Sequence, residues 1–115
     1  MRLLVIGSRK IVEYDLSENI PEETDMIISG GAKGIDTIAE QYADSHGIQK
    51  LIFYPEYEKY GRAAPLRRNE KMVDISEVIL AIWDGESKGT KYTLNYAKKK
   101  NKKIIEIVVD NEKWK

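Results

Sequence analysis

Cysteine is absent from this chain of 115 residues, and histidine occurs once. The first absence excludes disulfides, a thiolate nucleophile and cysteine-ligated metal; the second argues against a zinc site. Net charge is missing as well. Nineteen basic residues balance nineteen acidic ones, so no overall field draws the chain to nucleic acid or to an anionic membrane, and any anion site must be local. No apolar run is long enough to cross a bilayer, and the opening run Leu3–Ile6 is too short even for a signal-peptide core. The expectation is a soluble, cytoplasmic protein without metal or cofactor, built as a single domain over residues 1–115.

Short apolar runs recur along the chain at Leu3–Ile6, Met26–Ile28, Leu51–Tyr54, Val78–Trp83 and Ile104–Val109. Four of them are short, β-branched or aromatic, and continuous instead of alternating, which predicts strands buried on both faces. Helical patterns lie between them. Ile35, Ile38, Ala39, Tyr42 and Ala43 form one apolar stripe that ends at Gly47. Pro65 suits the first turn of a helix reaching about Ile75, and Thr90–Lys100 reads as another, with Leu94 and Ala97 inward. A further helix over Ile11–Ile20 has the weakest pattern. Alternating strands and helices predict an α/β fold, a Rossmann-like three-layer sandwich around a mainly parallel five-stranded sheet in the order 3-2-1-4-5. The order reverses between strands 1 and 4, where ligands bind in such sheets. The polar tail Asp110–Lys115 reads as a frayed end.

Three loops at the carboxyl ends of strands carry glycine and polar residues. Gly7-Ser8-Arg9 follows strand 1, Gly30-Gly31-Ala32-Lys33-Gly34 follows strand 2, and Asp84-Gly85-Glu86-Ser87-Lys88-Gly89-Thr90 follows strand 4. In the second loop, glycines admit a phosphate to backbone N–H groups at a helix N-terminus, Lys33 adds charge, and Asp36 holds a ligand hydroxyl or caps the helix. The alternative is a plain strand-to-helix turn capped by Asp36. The loop fits neither a Walker A motif, since Lys33 precedes Gly34, nor the dinucleotide fingerprint. In the fourth-strand loop, Ser87 and Thr90 stand near the next helix start as a second anion cradle or as caps. Arg62, Arg67, Arg68 and Asn69 cluster between strands 3 and 4. Arginine grips phosphate through paired donors, so Arg68 with Arg9 and Arg62 forms a candidate clamp, Asn69 a reader of the ligand's polar edge, and Arg67 the more solvent-facing member. On this reading Arg68→Ala weakens binding with little loss of thermal stability. Trp83 reads as core, and Lys98–Lys103 as a solvated helix end.

Ile6-Gly7-Ser8-Arg9, Ser29–Asp36, Gly61–Asn69 with Met72, and the loop ending at Gly89-Thr90 together resemble the SLOG superfamily of Rossmann-like nucleotide-binding domains. Within it, the chain resembles the small bacterial and phage proteins related to YspA and YpsA. The resemblance implies a nucleotide or nucleotide-derived ligand, a sensor or an enzyme, and a homodimer. The superfamily's cytokinin-activating phosphoribohydrolases carry an arginine four residues before a methionine, which Arg68 and Met72 match. Their catalytic glutamate falls where this chain has Thr93, and threonine supplies no carboxylate. Arg68 and Asp36 remain the catalytic candidates for any hydrolysis. A related fold in DNA-processing protein A implies single-stranded DNA binding as a further alternative, which the balanced charge disfavours.

Overall fold

The computed structural model describes residues 1–110, so the tail beyond Asp110 lies outside the described residues. Ten segments follow in order: β1 (Arg2–Gly7), β2 (Met26–Ser29), α1 (Ile35–Ser45), β3 (Gln49–Ile52), α2 (Tyr57–Tyr60), a 3-10 turn (Gly61–Ala63), α3 (Ala64–Ile75), β4 (Val78–Trp83), α4 (Lys88–Lys99) and β5 (Lys103–Val108). The five strands are all parallel, in the order β3-β2-β1-β4-β5. This is the Rossmann-like arrangement the alternating pattern predicts.

The sheet's two faces explain the apolar residues. On one face Leu3, Val5, Ile27, Leu80 and Ile82 pack with Ile35, Ala39 and Ala43 of α1. On the other, Leu4, Ile6, Ile28, Ile79 and Ala81 pack with Met72 and Val73 of α3 and with Leu94 and Ala97 of α4. Each fully buried aliphatic side chain contributes about 1.5–3 kcal/mol through removal from water. Trp83 is buried, as expected, and its Nε1–H donates to Glu106 Oε2 at 2.9 Å.

Two expectations need correction. The Ile11–Ile20 helix does not form. Asp15 Oδ1 accepts the Ser17 N–H at 2.9 Å, a local turn that competes with helical hydrogen bonding. The segment still shields the α1 face, because Ile11 and Leu16 are each 1% exposed and join the core. Burial on both faces holds for β1, β2 and β4 but fails for β3 and β5. Those two are the sheet edges, and Leu51 of β3 and Val108 of β5 remain exposed.

Candidate functional site

The carboxyl ends of β1 and β4 lie side by side, with Gly7 opposite Ile82, so the loops that follow diverge around one crevice. Ser8 is 6% exposed and serves the backbone. Its N–H donates to Ile82 O, its Oγ accepts the Lys10 N–H, and its carbonyl accepts the Ile35 N–H at the start of α1. Gly34 makes that last contact feasible. Its φ is +74°, and a Cβ there would stand 2.3 Å from Ser8 O, so neither the dihedral nor the space admits a side chain. The next residue, Arg9, is solvent-exposed.

The glycine turn after β2 is filled largely by the protein's own oxygens. Ser29 Oγ accepts the Gly31 N–H at 3.2 Å and donates to Glu40 Oε2 at 2.9 Å. Asp36 Oδ2 accepts the Ala32 N–H at 3.1 Å, and the Gly30 N–H also stabilises its charge. Burial nevertheless pushes the Asp36 carboxyl above its ordinary range, with backbone N–H groups and nearby Arg68 opposing that shift. A carboxylate thus sits where the anion cradle was expected to receive a phosphate. Asp36 does not cap α1, whose start has no side-chain cap; it shapes the turn by accepting N–H groups of the loop ahead of the helix, and it also faces the crevice.

Arg68 projects from α3 into the space behind this turn and is 9% exposed. Its Nη1 donates to the carbonyls of Gly30 and Phe53, and its Nε donates to Asn69 Oδ1 at 2.7 Å. Gly30 lets the guanidinium approach the turn closely, since a Cβ there would come 2.8 Å from Arg68 Nη1 and push the side chain aside. Arginine has five donors; these bonds use Nη1 and Nε, and Nη2 has no bond to the described residues. Burial pulls the guanidinium's pKa down, Asp36 counters it, and Arg9 adds to the lowering. Arg68 is therefore more than the clamp expected from sequence: it also cross-links α3 to the ends of β2 and β3.

Asn69 Nδ2 donates to Thr93 Oγ1 at 2.9 Å, and Thr93 Oγ1 donates to Gly89 O at 2.9 Å. Thr93 is 1% exposed. The chain of bonds ties α3 to the first turn of α4. There Ser87 Oγ accepts the Thr90 N–H at 3.3 Å, so Ser87 is the cap of the two candidates. The first turn of α4 carries no acidic side chain, unlike that of α1. Its N–H groups and the helix dipole favour an anion.

These elements enclose a cavity of about 350 Å³, within the usual range for small-molecule sites. Gly7 and Arg9 approach from the β1 loop, Ala32 and Asp36 from the glycine turn and α1, Arg68 and Asn69 from α3, and Ser87, Gly89 and Thr90 from α4. Other expected site residues lie elsewhere. Gly30, Gly31 and Lys33 border an adjacent depression, while Ser8 and Gly34 support the loops from behind. Asp84 accepts the Glu86 N–H at 2.9 Å, and Gly85 turns toward Val108, so both shape their loop without lining the cavity. Arg62 is exposed on the 3-10 turn, outside the cavity wall. Arg67 faces outward and pairs with Glu70 at 2.7 Å.

Sequence reading had left Ile6, Met72 and Thr93 out of the ligand set, although all three line the cavity. The signal for Met72 and Thr93 was spacing, because each lies four residues beyond another wall residue, Arg68 and Gly89, on the same helical face. Among the described residues no three His, Asp or Glu side chains gather as a metal centre would require. No helix among them is long and apolar enough to cross a membrane.

Comparison with known proteins adds two findings. A family model described as the YspA, cpYpsA-related SLOG family (YAcAr) matches residues 1–60. The uncharacterized SPbeta prophage-derived protein YoqJ of Bacillus subtilis (strain 168) is 51% identical over 45 residues, which cover 36% of this chain and 26% of YoqJ. The matching stretch thus spans about a quarter of that relative's length. No solved structure matches the chain.

Proposed function

The chain belongs to the YspA, cpYpsA-related SLOG family, and from that premise we propose that it binds a nucleotide or nucleotide-derived ligand in the cavity between the ends of β1 and β4, acting as a sensor. One observation carries this reading: a buried guanidinium, Arg68, lines the cavity together with the N-terminus of α4, whose first turn carries no acidic side chain. Two independent sources of positive potential then converge on one anionic group. A phosphate fits between Ser87–Thr90 and Arg68, Arg9 closes over it from the solvent side, and Asn69 orients the remainder. The reading extends to a cytoplasmic homodimer, as the family resemblance implies.

Titration calorimetry with a panel of nucleoside monophosphates tests it. Among the described residues the Arg9 side chain makes no hydrogen bond or ion pair, so Arg9→Ala removes charge without disturbing the fold. The expected result is binding that weakens about tenfold or more in that variant, the loss of one charge-assisted hydrogen bond. An absence of binding across the panel, or equal affinity in the variant, refutes the site.

A second reading is cleavage of the N-glycosidic bond of a nucleoside monophosphate. It is favoured by Asp36, a carboxylate in the cavity wall that burial holds toward its protonated form. Against it, Thr93 occupies the place of the catalytic glutamate, and its hydroxyl is already engaged with Asn69 and Gly89. Release of free base from the same panel would support this reading; binding without turnover favours the sensor.

A further inference from the structure

Next to the cavity lies a shallower depression of about 340 Å³. The two share a wall, because Arg9, Ala32 and Arg68 line both. The far side of the depression is formed by the backbone of Gly30 and Gly31, by Lys33 and by Tyr54 with Pro55. Two guanidinium groups therefore stand at the junction of two adjoining hollows, with an ammonium group beyond them.

Tyr54 is the unusual member of this set. It is 67% exposed, one of the few large hydrophobic side chains left in solvent. Its ring is not adrift, since it rests on the glycine turn: a Cβ on Gly31 would come 2.9 Å from Cε1 and 3.4 Å from Cδ1. The absent side chain of Gly31 allows the ring to settle against the backbone, which backs one part of the ring and leaves the rest open. An aromatic ring fixed at a basic rim is a stacking platform, the device by which proteins hold bases without reading their sequence.

Resting on the nucleotide reading above, we propose that the ligand is two-headed: a diphosphate-bridged molecule with a nucleoside in the cavity and a second aromatic group stacked on Tyr54. The diphosphate lies across the wall shared by Arg9 and Arg68, where paired guanidinium donors match successive phosphates. A mononucleotide uses only the first hollow. The depression and Tyr54 then account for the second half of the ligand.

Calorimetry with symmetrical diphosphate-bridged dinucleotides, compared with the corresponding nucleoside diphosphates, tests this. The comparison holds the phosphate number fixed and adds the second nucleoside, and the Tyr54 variants isolate its base. The expected result is a dinucleotide bound about tenfold more tightly than its nucleoside diphosphate, the value of one stacked base. That ratio should fall to near one in Tyr54→Ala and persist in Tyr54→Phe, which keeps the ring. A ratio near one in the unaltered protein, or one that survives Tyr54→Ala, overturns the two-headed ligand while leaving the mononucleotide site standing. Failure of every nucleotide to bind overturns both.

Discussion

Replacement of Arg68 separates two roles that its position combines. Arg68→Ala removes both hydrogen bonds from Nη1, leaving the carbonyls of Gly30 and Phe53 without that donor, and releases Asn69 Oδ1. A buried acceptor left unpaired costs about 1–3 kcal/mol. The Gly30 acceptor is buried and the Phe53 acceptor only part-buried, which sets a loss of roughly 2–4 kcal/mol, and relief from the guanidinium's own desolvation, with entry of water into the vacated space, trims it toward about 2–3 kcal/mol. For a chain of this size that is a fall in Tm of about 8–12 °C. Thermal unfolding by circular dichroism reads the value. Arg9→Ala is the control, since an exposed side chain of this kind changes stability by about 0.5 kcal/mol or less. Nucleotide affinity should fall in both variants, whereas Tm should fall only in Arg68→Ala. An Arg68→Ala protein that melts within 2 °C or so of the parent (about 0.5 kcal/mol) would show that the carbonyl bonds carry no weight and that Arg68 is only a ligand clamp.

Gly34→Ala forces a Cβ to within 2.3 Å of Ser8 O and 2.7 Å of the Arg9 carbonyl carbon at a φ of +74°. Strain and overpacking together cost about 3 kcal/mol or more. Urea denaturation should show a midpoint well below that of the parent, and an unchanged midpoint would refute the close approach of the two loops. The buried Asp36 carboxyl, raised above its ordinary value of 3.8, predicts a pH dependence of definite sign. Between the ordinary and raised values the folded state keeps a proton that the unfolded state releases. This group's contribution to stability is therefore highest below the window and declines as pH rises through it. Asp36→Asn should flatten that part of the stability profile measured by denaturant titration at a series of pH values; a profile identical to the parent's would contradict the burial argument.

The central strands were legible because Leu3–Ile6 and Val78–Trp83 are continuous apolar runs covered on both faces. The edges were not. Leu51–Tyr54 is as apolar as the central runs and Ile104–Val109 is broken only by Glu106, so strand order decides which run lacks a neighbour. At Ile11–Ile20, apolar residues that plug a core and apolar residues that stripe a helix look alike in sequence, and the Asp15–Ser17 turn settles the matter locally. The loops that line the cavity were legible from their glycine and polar residues. What escaped were the partners. The Gly30 carbonyl that Arg68 reaches is 38 residues away, and the sequence offered Asp36 as a helix cap where it instead accepts the Ala32 N–H inside the glycine turn.

The pairing of β1 with β4 has a consequence for when the cavity comes into existence. Leu3 lies beside Val78, so the two central strands meet only after a long loop of chain has closed, a slow and entropically costly event. The family-matched N-terminal half supplies Leu4, Ile6 and Ile28 to a face whose cover, Met72, Val73, Leu94 and Ala97, has yet to arrive. The cavity spans this same seam, with Gly7 and Arg9 on one bank and Ser87–Thr90 on the other. Completion of the cavity and completion of the core are thus one event. On the proposed function, a ligand held there draws on the cooperativity of the whole sheet, and its occupancy stabilises the entire fold instead of a single loop.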